Sequence, residues 1–505
     1  MFLTIIQTNI IAWQVILPLI SAPICAMVQR HNLAWIVTFI VTLLSFATSI
    51  YINIIIFNSP EPISYFMGGW VQPIGIELRL THLNSIILLL LTGSACILMP
   101  FANKIVRHEI DKDKHALFYA VFLLCLAGLI GITLSNDLFN IYVFLEISSL
   151  ATYSLIALGK DKRSLTAAFE YLIIGSIGAT LYLIGLGFLY IVTGTLNFTD
   201  LSLLIPHSDY TIAIIAGCAF MTVGVLMKIA LFPLHIWLCR AYTYAPSFIS
   251  TFLSATATKV SIYLLIRIIY ELFGFEFQFS NNYSLTNIIQ LILNPLALLA
   301  ILVGSYQAMK QNNIKMSLAY SSIAQIGYII LTMSLITELG LIASITHIFN
   351  HALAKAGLFA VCGVILMKFG GVNLANFKGA GKLMPITMGT FVIFGLSLIG
   401  IPLTAGFVSK WLLIKALIAS GAWISIIVVI LASIAAIIYI WRIIEVAYFD
   451  DHPNAINFNK KEAPWYVLIS LGILAILNIY FGVMPGYPIA IAEQVSAILI
   501  NGENL

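Results

Sequence analysis

Long apolar runs dominate this sequence. WIVTFIVTLLSFATSIYINIIIF, residues 35–57, is one of a series that continues to the end of the chain with only short polar breaks. A bilayer core about 30 Å thick takes about 20 helical residues to cross. Backbone in hydrocarbon must satisfy its own hydrogen bonds, which leaves helices or closed barrels. Barrel strands alternate apolar and polar residues over about 10 positions, whereas these runs are continuous. Spans are predicted near 10–28, 33–57, 82–102, 116–134, 138–158, 165–193, 210–238, 247–270, 286–308, 316–336, 339–367, 386–418, 422–449 and 464–484. With 61% hydrophobic and 9% charged residues, the chain is neither a soluble enzyme, nor disordered, nor a disulfide scaffold. The expected fold class is an all-α membrane protein of about 14 transmembrane helices.

The chemistry is not that of a cofactor protein. Cys25, Cys96, Cys125, Cys218, Cys239 and Cys362 are scattered through apolar runs without C-x-x-C spacing. They signal neither a metal centre nor an iron–sulfur cluster, and read as small core residues. There is no G-x-G-x-x-G dinucleotide motif. No cofactor and no metal is expected, and a net charge of +4 does not point to nucleic acid. The first apolar run lacks a basic leader and cleavage site, so it is expected to stay as the first helix.

Basic residues test the span count. Loops after odd-numbered spans carry Arg30; Lys104, Arg107, Lys112 and Lys114; Lys160, Lys162 and Arg163; Arg240; Lys310 and Lys315; Lys368, Lys378 and Lys382; and Arg442, Lys460 and Lys461. Loops after even-numbered spans carry almost none, Arg79 being the clear exception. This alternation is the positive-inside pattern. It predicts a multi-pass protein of the bacterial cytoplasmic (inner) membrane with both termini on the non-cytoplasmic side.

The remaining basic residues carry the functional signal. Arg267 and Lys415 lie toward span ends, where they can snorkel. Lys228, Lys259, Lys355 and Lys410 sit inside apolar sequence. A charge at mid-bilayer costs at least about 2.5–3.5 kcal/mol, so decoration does not explain them. Glu146, in NDLFNIYVFLEISSLATYSLIAL, either locks two helices through a lysine or handles protons. Glu170 and Asp137 also read as a solvated helix-start residue and a helix cap. Lys228 precedes Pro233 in VLMKIALFPLHIWLCRAYTYAPS, so a discontinuous helix is expected there. Such a break needs partners or water. A lysine beside it can exchange protons when a partner charge moves. His235 joins that path or merely caps freed carbonyls. His347, His351 and Lys355, spaced i, i+4, i+8 in ITHIFNHALAKAGLF, line one helix face. Histidine changes charge near neutral pH, which favours a relay. Lys410 lies beside a second Pro-Leu step in GIPLTAGFVSKW. Two interrupted apolar segments in corresponding halves point to inverted repeats: spans 4–8 and 9–13, with broken spans 7 and 12.

The stretches GGWVQPIGIEL, NDLFNIYVFLEISSLATYSLIALG, YIVTGTLNFTDLS, KIALFPLHIWLCRAYTYAPS, TKVSIYLLIR, NNIKMSLAYSSIAQIGY, NHALAKAGLF and GIPLTAGFVSKW resemble a known family over nearly the whole chain. It comprises the proton-conducting antiporter-like subunits shared by respiratory complex I (its M and N subunits) and the Mrp multisubunit Na+/H+ antiporters; the likeness is to the D subunit of Mrp above all. The resemblance places the family's span 5 acid on Glu146. Its lysines fall on Lys228, Lys259 and Lys410, and its span 11 histidine on His351. The M subunit of complex I is similar but typically has Glu where Lys410 stands. Asn350, where close relatives can have a second His, is a departure.

Residues 1–114 are then N-terminal spans 1–3, 115–270 and 286–449 the two repeats, and 464–484 span 14. The resemblance implies a proton-translocating subunit of a multisubunit Na+/H+ antiporter. Glu146 and Lys228 would form an ion pair whose opening releases a proton, Lys259 would pass it to the His351 face, and Lys410 would lead to the other side. His235, His347 and Lys355 are secondary candidates. Partners would be other antiporter subunits, H+, probably Na+, and the lipid bilayer. The alternative is a membrane subunit of NADH:quinone oxidoreductase with no redox site of its own. A mere scaffold gains nothing from four buried lysines.

Overall fold

The computed structural model describes residues 2–28, 30–59, 61–208, 211–274, 277–280, 283–451 and 462–501. Lys460 and Lys461 of the charge alternation lie outside them. The chain is a multi-pass membrane protein, and the predicted spans reappear in order. They begin with α1 (Phe2–Met27), α2 (His31–Phe57), α3 (His82–Glu109), α4 (His115–Leu134), α5 (Leu138–Ala157) and α6 (Arg163–Thr193). A short α7 (Phe198–Leu204) precedes α8 (Thr211–Ile229) and α9 (Ile236–Tyr244), which replace span 7. Span 8 is α10 (Ser247–Ala255) and α11 (Ala257–Ile266), ending in a π-turn over Arg267–Leu272. Next come α12 (Leu285–Lys310), α13 (Ile314–Met333) and α14 (Glu338–Phe369). After a short α15 (Ala380–Leu383), α16 (Pro385–Ile399) and α17 (Ala405–Ala419) share span 12. The chain closes with α18 (Trp423–Tyr448), α19 (Trp465–Val483) and α20 (Gly486–Asn501). Among the described residues thirteen helices are long and apolar enough to cross a membrane, and the pair Leu374–Leu383 and Pro385–Ile399, bent by 117°, makes fourteen if counted as one span; α16 and α17 are each 15 residues long. Between α2 and α3, β1 (Ile63–Phe66) and β2 (Glu77–Leu80) form an antiparallel hairpin with Ser64 opposite Arg79.

The two repeats are visible in matching contacts. Asp137 caps α5 and bridges to Asn197; Asn313 caps α13 and bridges to Asn373. The spacing is 176 residues (313 less 137) in every member of the set. Leu138 N–H donates to Leu196 O at 2.9 Å, and Ile314 N–H to Val372 O at 2.8 Å. Gly194 and Gly370 close α6 and α14 in the left-handed conformation, with φ of 72° and 73°, where the missing Cβ removes the steric penalty. A Cβ on Gly128 would lie 2.7 Å from Ser148 N, and one on Gly304 would lie 2.7 Å from Ala324 N. In each repeat a glycine thus lets the first two helices touch backbone to backbone, the packing membranes favour. Five spans is an odd number, so the second copy enters from the opposite face and the repeats are inverted.

Three breaks stand out among the described residues of the bundle. Ala230 (φ 62°) opens the first, before Pro233, and Leu403 (φ 69°) stands in the second, after Pro402. The third, at Thr256 between α10 and α11, has no Pro or Gly beside it. There Ser254 Oγ donates to Thr251 O at 2.9 Å, and Thr256 Oγ1 to Phe252 O at 2.7 Å. Hydroxyls that bond back to the helix compete with its ladder and bend it.

Arg267 and Lys315 depart from the reading of the sequence. Arg267 does not snorkel. It is buried, with Nε on Glu271 at 2.7 Å, Nη1 on Ser135 O at 2.8 Å and Nη2 on Asn136 Oδ1 at 2.6 Å. Lys315, assigned to a basic loop, lies in the first turn of α13. It is buried, with Nζ donating to Ser247 Oγ at 2.8 Å. Lys415 is exposed beside the Trp411 ring, as expected of a snorkelling residue.

Candidate functional site

The breaks release backbone carbonyls inside the membrane, and nearby side chains take them up. Trp237 Nε1–H donates to Met227 O at 3.1 Å beside the first break. Lys259 Nζ donates to Ser254 O at the Thr256 break. Lys410 Nζ donates to Ile399 O at 2.8 Å where α16 ends. On the far side of that break Asn350 Nδ2 adds a bond to Ala405 O, the first carbonyl of α17, at 2.8 Å. Irregular backbone at membrane depth persists only when satisfied in this way. Two of the lysines singled out in the sequence therefore sit on the broken helices' own carbonyls.

Glu146 lies on α5, half-buried, and its Oε1 has no hydrogen-bond partner. Ser149, one turn on, accepts from Lys228 Nζ at 2.6 Å. Glu146 and Lys228 make no direct ion pair within 4.0 Å; the ammonium donates to the hydroxyl instead. His235 precedes α9, its ring against Phe232 at 5.4 Å and Tyr320 at 6.3 Å. It is buried, and its Nδ1 is unpartnered.

α14 assembles the rest. His347 Nε2 lies 2.9 Å from Gln325 Oε1, and Nδ1 lies 2.8 Å from Ser409 Oγ. The ring is thereby pinned between α13 and α17. His351 stacks parallel to it at 5.9 Å and has no hydrogen-bond partner on either nitrogen. Lys355, one turn further, donates to Leu318 O at 2.7 Å and Ser321 Oγ at 2.5 Å. Lys410 also donates to Ser433 Oγ at 3.2 Å on α18, and lies 5.3 Å from the Tyr328 ring centre. Among the described residues none of these four lysines has a carboxylate within 4.0 Å. No hydrogen bond joins Lys228 to Lys259, although α8 packs against α11.

Sequence reasoning placed the titratable groups but not the residues that hold them. Ser149, Gln325, Ser409 and Ser433 are the missed members. Ser149 and Gln325 share one repeat position, 176 residues apart (325 less 149). Their signal was a polar side chain in an apolar run, which a helix hydrogen-bonding its own carbonyls also produces. Asp137 caps α5, the plainer of its two readings, whereas Glu170 stands two turns into α6 and pairs with Arg240, its Oε2 buried without a partner.

A second polar cluster lies outside the spans, around Glu77. Its carboxylate accepts from Ser64 Oγ at 2.5 Å and from the Nδ2 of Asn136 and Asn197, both at 2.8 Å. Burial pushes this carboxyl up, but those bonds and the Arg79 charge outweigh it and leave it below the usual range.

Residues 135–436 match the family model described as NADH:quinone oxidoreductase/Mrp antiporter, TM. The N subunit of the NADH-quinone oxidoreductase of Desulforudis audaxviator is 41% identical over 394 residues, 78% of this chain and 77% of that protein. The D subunit of the Na(+)/H(+) antiporter of Alkalihalophilus pseudofirmus is 28% identical over 497 residues, 97% of both. A chain of the archaeal membrane-bound sulfane sulfur reductase superposes with a TM-score of 0.87 at 30% identity, over 97% of each chain.

Proposed function

Since the chain belongs to the membrane family shared by NADH:quinone oxidoreductases and Mrp antiporters, we propose that it is the proton-translocating subunit of a multisubunit monovalent cation (Na+)/H+ antiporter. It would work in a bacterial cytoplasmic membrane beside other antiporter subunits, with both termini on the non-cytoplasmic side and the repeats spanning 115–270 and 286–449. The observation that carries this reading is the line of buried lysines and histidines without acid partners, seated on hydroxyls and on carbonyls freed by helix breaks. A permanent charge there costs at least about 2.5–3.5 kcal/mol. Groups that gain and lose a proton bear that cost only part of the time.

In this mechanism Glu146 biases Lys228 across Ser149. The proton moves from Lys228 through the bundle to Lys259, then to His351, flanked by Lys259 and Lys355. His347, held by Gln325 and Ser409, passes it toward Lys410, which leads to the opposite face. His235 serves the first break. Cation-dependent collapse of a pH gradient in everted membrane vesicles tests the proposal. Glu146→Ala and Lys228→Ala should abolish it while the protein stays inserted; full activity in both variants would refute the roles.

A second reading rests on the 41% identity to the N subunit of an NADH-quinone oxidoreductase: the same relay driven by redox chemistry in other subunits. Proton movement that requires electron donor and ignores Na+ would select it.

A further inference from the structure

A cavity of about 380 Å³ opens where the β1–β2 hairpin, α7, the π-turn and α20 meet. This is the face opposite the basic loops. Its walls are mostly apolar, with Leu83, Phe198, Val495 and Leu499 among them, and His82 and Ser202 add polar groups. Arg79 and Thr199 line it as well. Arg79 is the basic residue that breaks the charge alternation of the sequence. Its guanidinium donates to Thr199 Oγ1 at 2.6 Å and makes no ion pair within 4.0 Å among the described residues. The neighbouring carboxylates are already held. Glu77 accepts from Ser64, Asn136 and Asn197, and Glu271, also in the cavity wall, pairs with Arg267 at 2.7 Å. Arg79 therefore brings uncommitted donors to the mouth of the slot, and its charge, though near Glu77, is in contact with no carboxylate.

We propose that this cavity is a binding site for an anionic phospholipid, its phosphate on Arg79 and Thr199 and one acyl chain between α3, α7 and α20. A planar guanidinium matches a phosphate with paired donors. A soluble anion has no use for the apolar walls, and a zwitterionic lipid, though it offers the same phosphate, brings a headgroup cation up to the guanidinium and loses part of the attraction. The site is independent of the proton relay.

The test uses the full chain, purified in mild detergent with the subunits that accompany it. Native mass spectrometry counts retained phosphatidylglycerol against phosphatidylcholine. The unmodified protein should retain phosphatidylglycerol preferentially and melt at a higher temperature with it. Arg79→Gln should lower that retention about five- to tenfold, as one lost basic contact predicts, and lower phosphatidylcholine retention less, so that the preference narrows. Ser202→Trp, which fills the slot from α7, should exclude both lipids. Equal retention of the two lipids by the unmodified protein overturns the proposal. So does undiminished retention in Arg79→Gln, or displacement of the lipid by inorganic phosphate alone.

Discussion

Replacing Glu77 by Ala should detach the β-hairpin from the helix ends, and its cost can be worked from the contacts. Three donors converge on this buried carboxylate. Bonds to a charged group contribute about 1.5–3 kcal/mol each, and a donor left dry costs about 1–3 kcal/mol. Ser64 is half-buried, so water replaces its partner at little cost. Asn136 Nδ2 keeps a second bond, to Thr199 Oγ1 at 2.9 Å. Asn197 is buried and its Nδ2 has no such alternative. Arg79 loses its negative neighbour as well. The expected total is about 3–5 kcal/mol, the range for breaking a buried charged network. Thermal melting in detergent and limited proteolysis of residues 58–80 would both report it.

The pH dependence adds a second readout. The folded carboxyl of Glu77 lies below its usual value, so its stabilisation is fully present above the unfolded value of about 4.3. It is lost as pH falls through the lower folded value. Glu77→Ala should remove this acid-dependent component, leaving a flatter melting curve in that window. A variant within about 0.5 kcal/mol of the original protein, with an unchanged acid slope, would refute the reasoning.

Other expectations follow from single contacts. Ser149→Ala removes the hydroxyl that takes Lys228; at about 1.5–3 kcal/mol for such a bond, proton-coupled flux should fall roughly ten- to a hundredfold without loss of insertion, and Ser149→Thr should restore it. Gly304→Val would drive a side chain into Ala324 N and Tyr320 O, forcing α12 from α13, so membrane yield should collapse; Gly472→Ala, with nothing within 4 Å, should be neutral. Arg267→Met strands Glu271 and two buried acceptors, at about 3–5 kcal/mol, seen as a lowered melting temperature.

What could be read from the chain divides along physical lines. Hydropathy alone set the spans and their order, because a bilayer imposes one length on every crossing helix. Pro233 and Pro402 marked two breaks, since proline removes a donor wherever it stands. The break at Thr256 escaped, because its cause is two hydroxyls choosing carbonyls over water, a choice made by the surroundings. α20 escaped too: at 16 residues it falls short of a full crossing, and it acquires its place only by packing on α14 and α3.

Charge shows the same division. The expense of an ion in hydrocarbon made Lys228, Lys259, Lys355 and Lys410 conspicuous before any fold was known. It said nothing of their neighbours. Arg267 and Lys315 look like boundary residues in the sequence, yet are buried among partners more than 60 positions away in the chain. The amino-acid sequence by itself determined that this protein crosses the membrane repeatedly and carries ionisable groups within it, since both follow from the solvation of single residues. Only the tertiary structure decided that Lys228 rests on Ser149, that His347 is gripped by Gln325 and Ser409, and that Lys410 closes its own broken helix. Those are distances between helices, and no local property of the chain contains them.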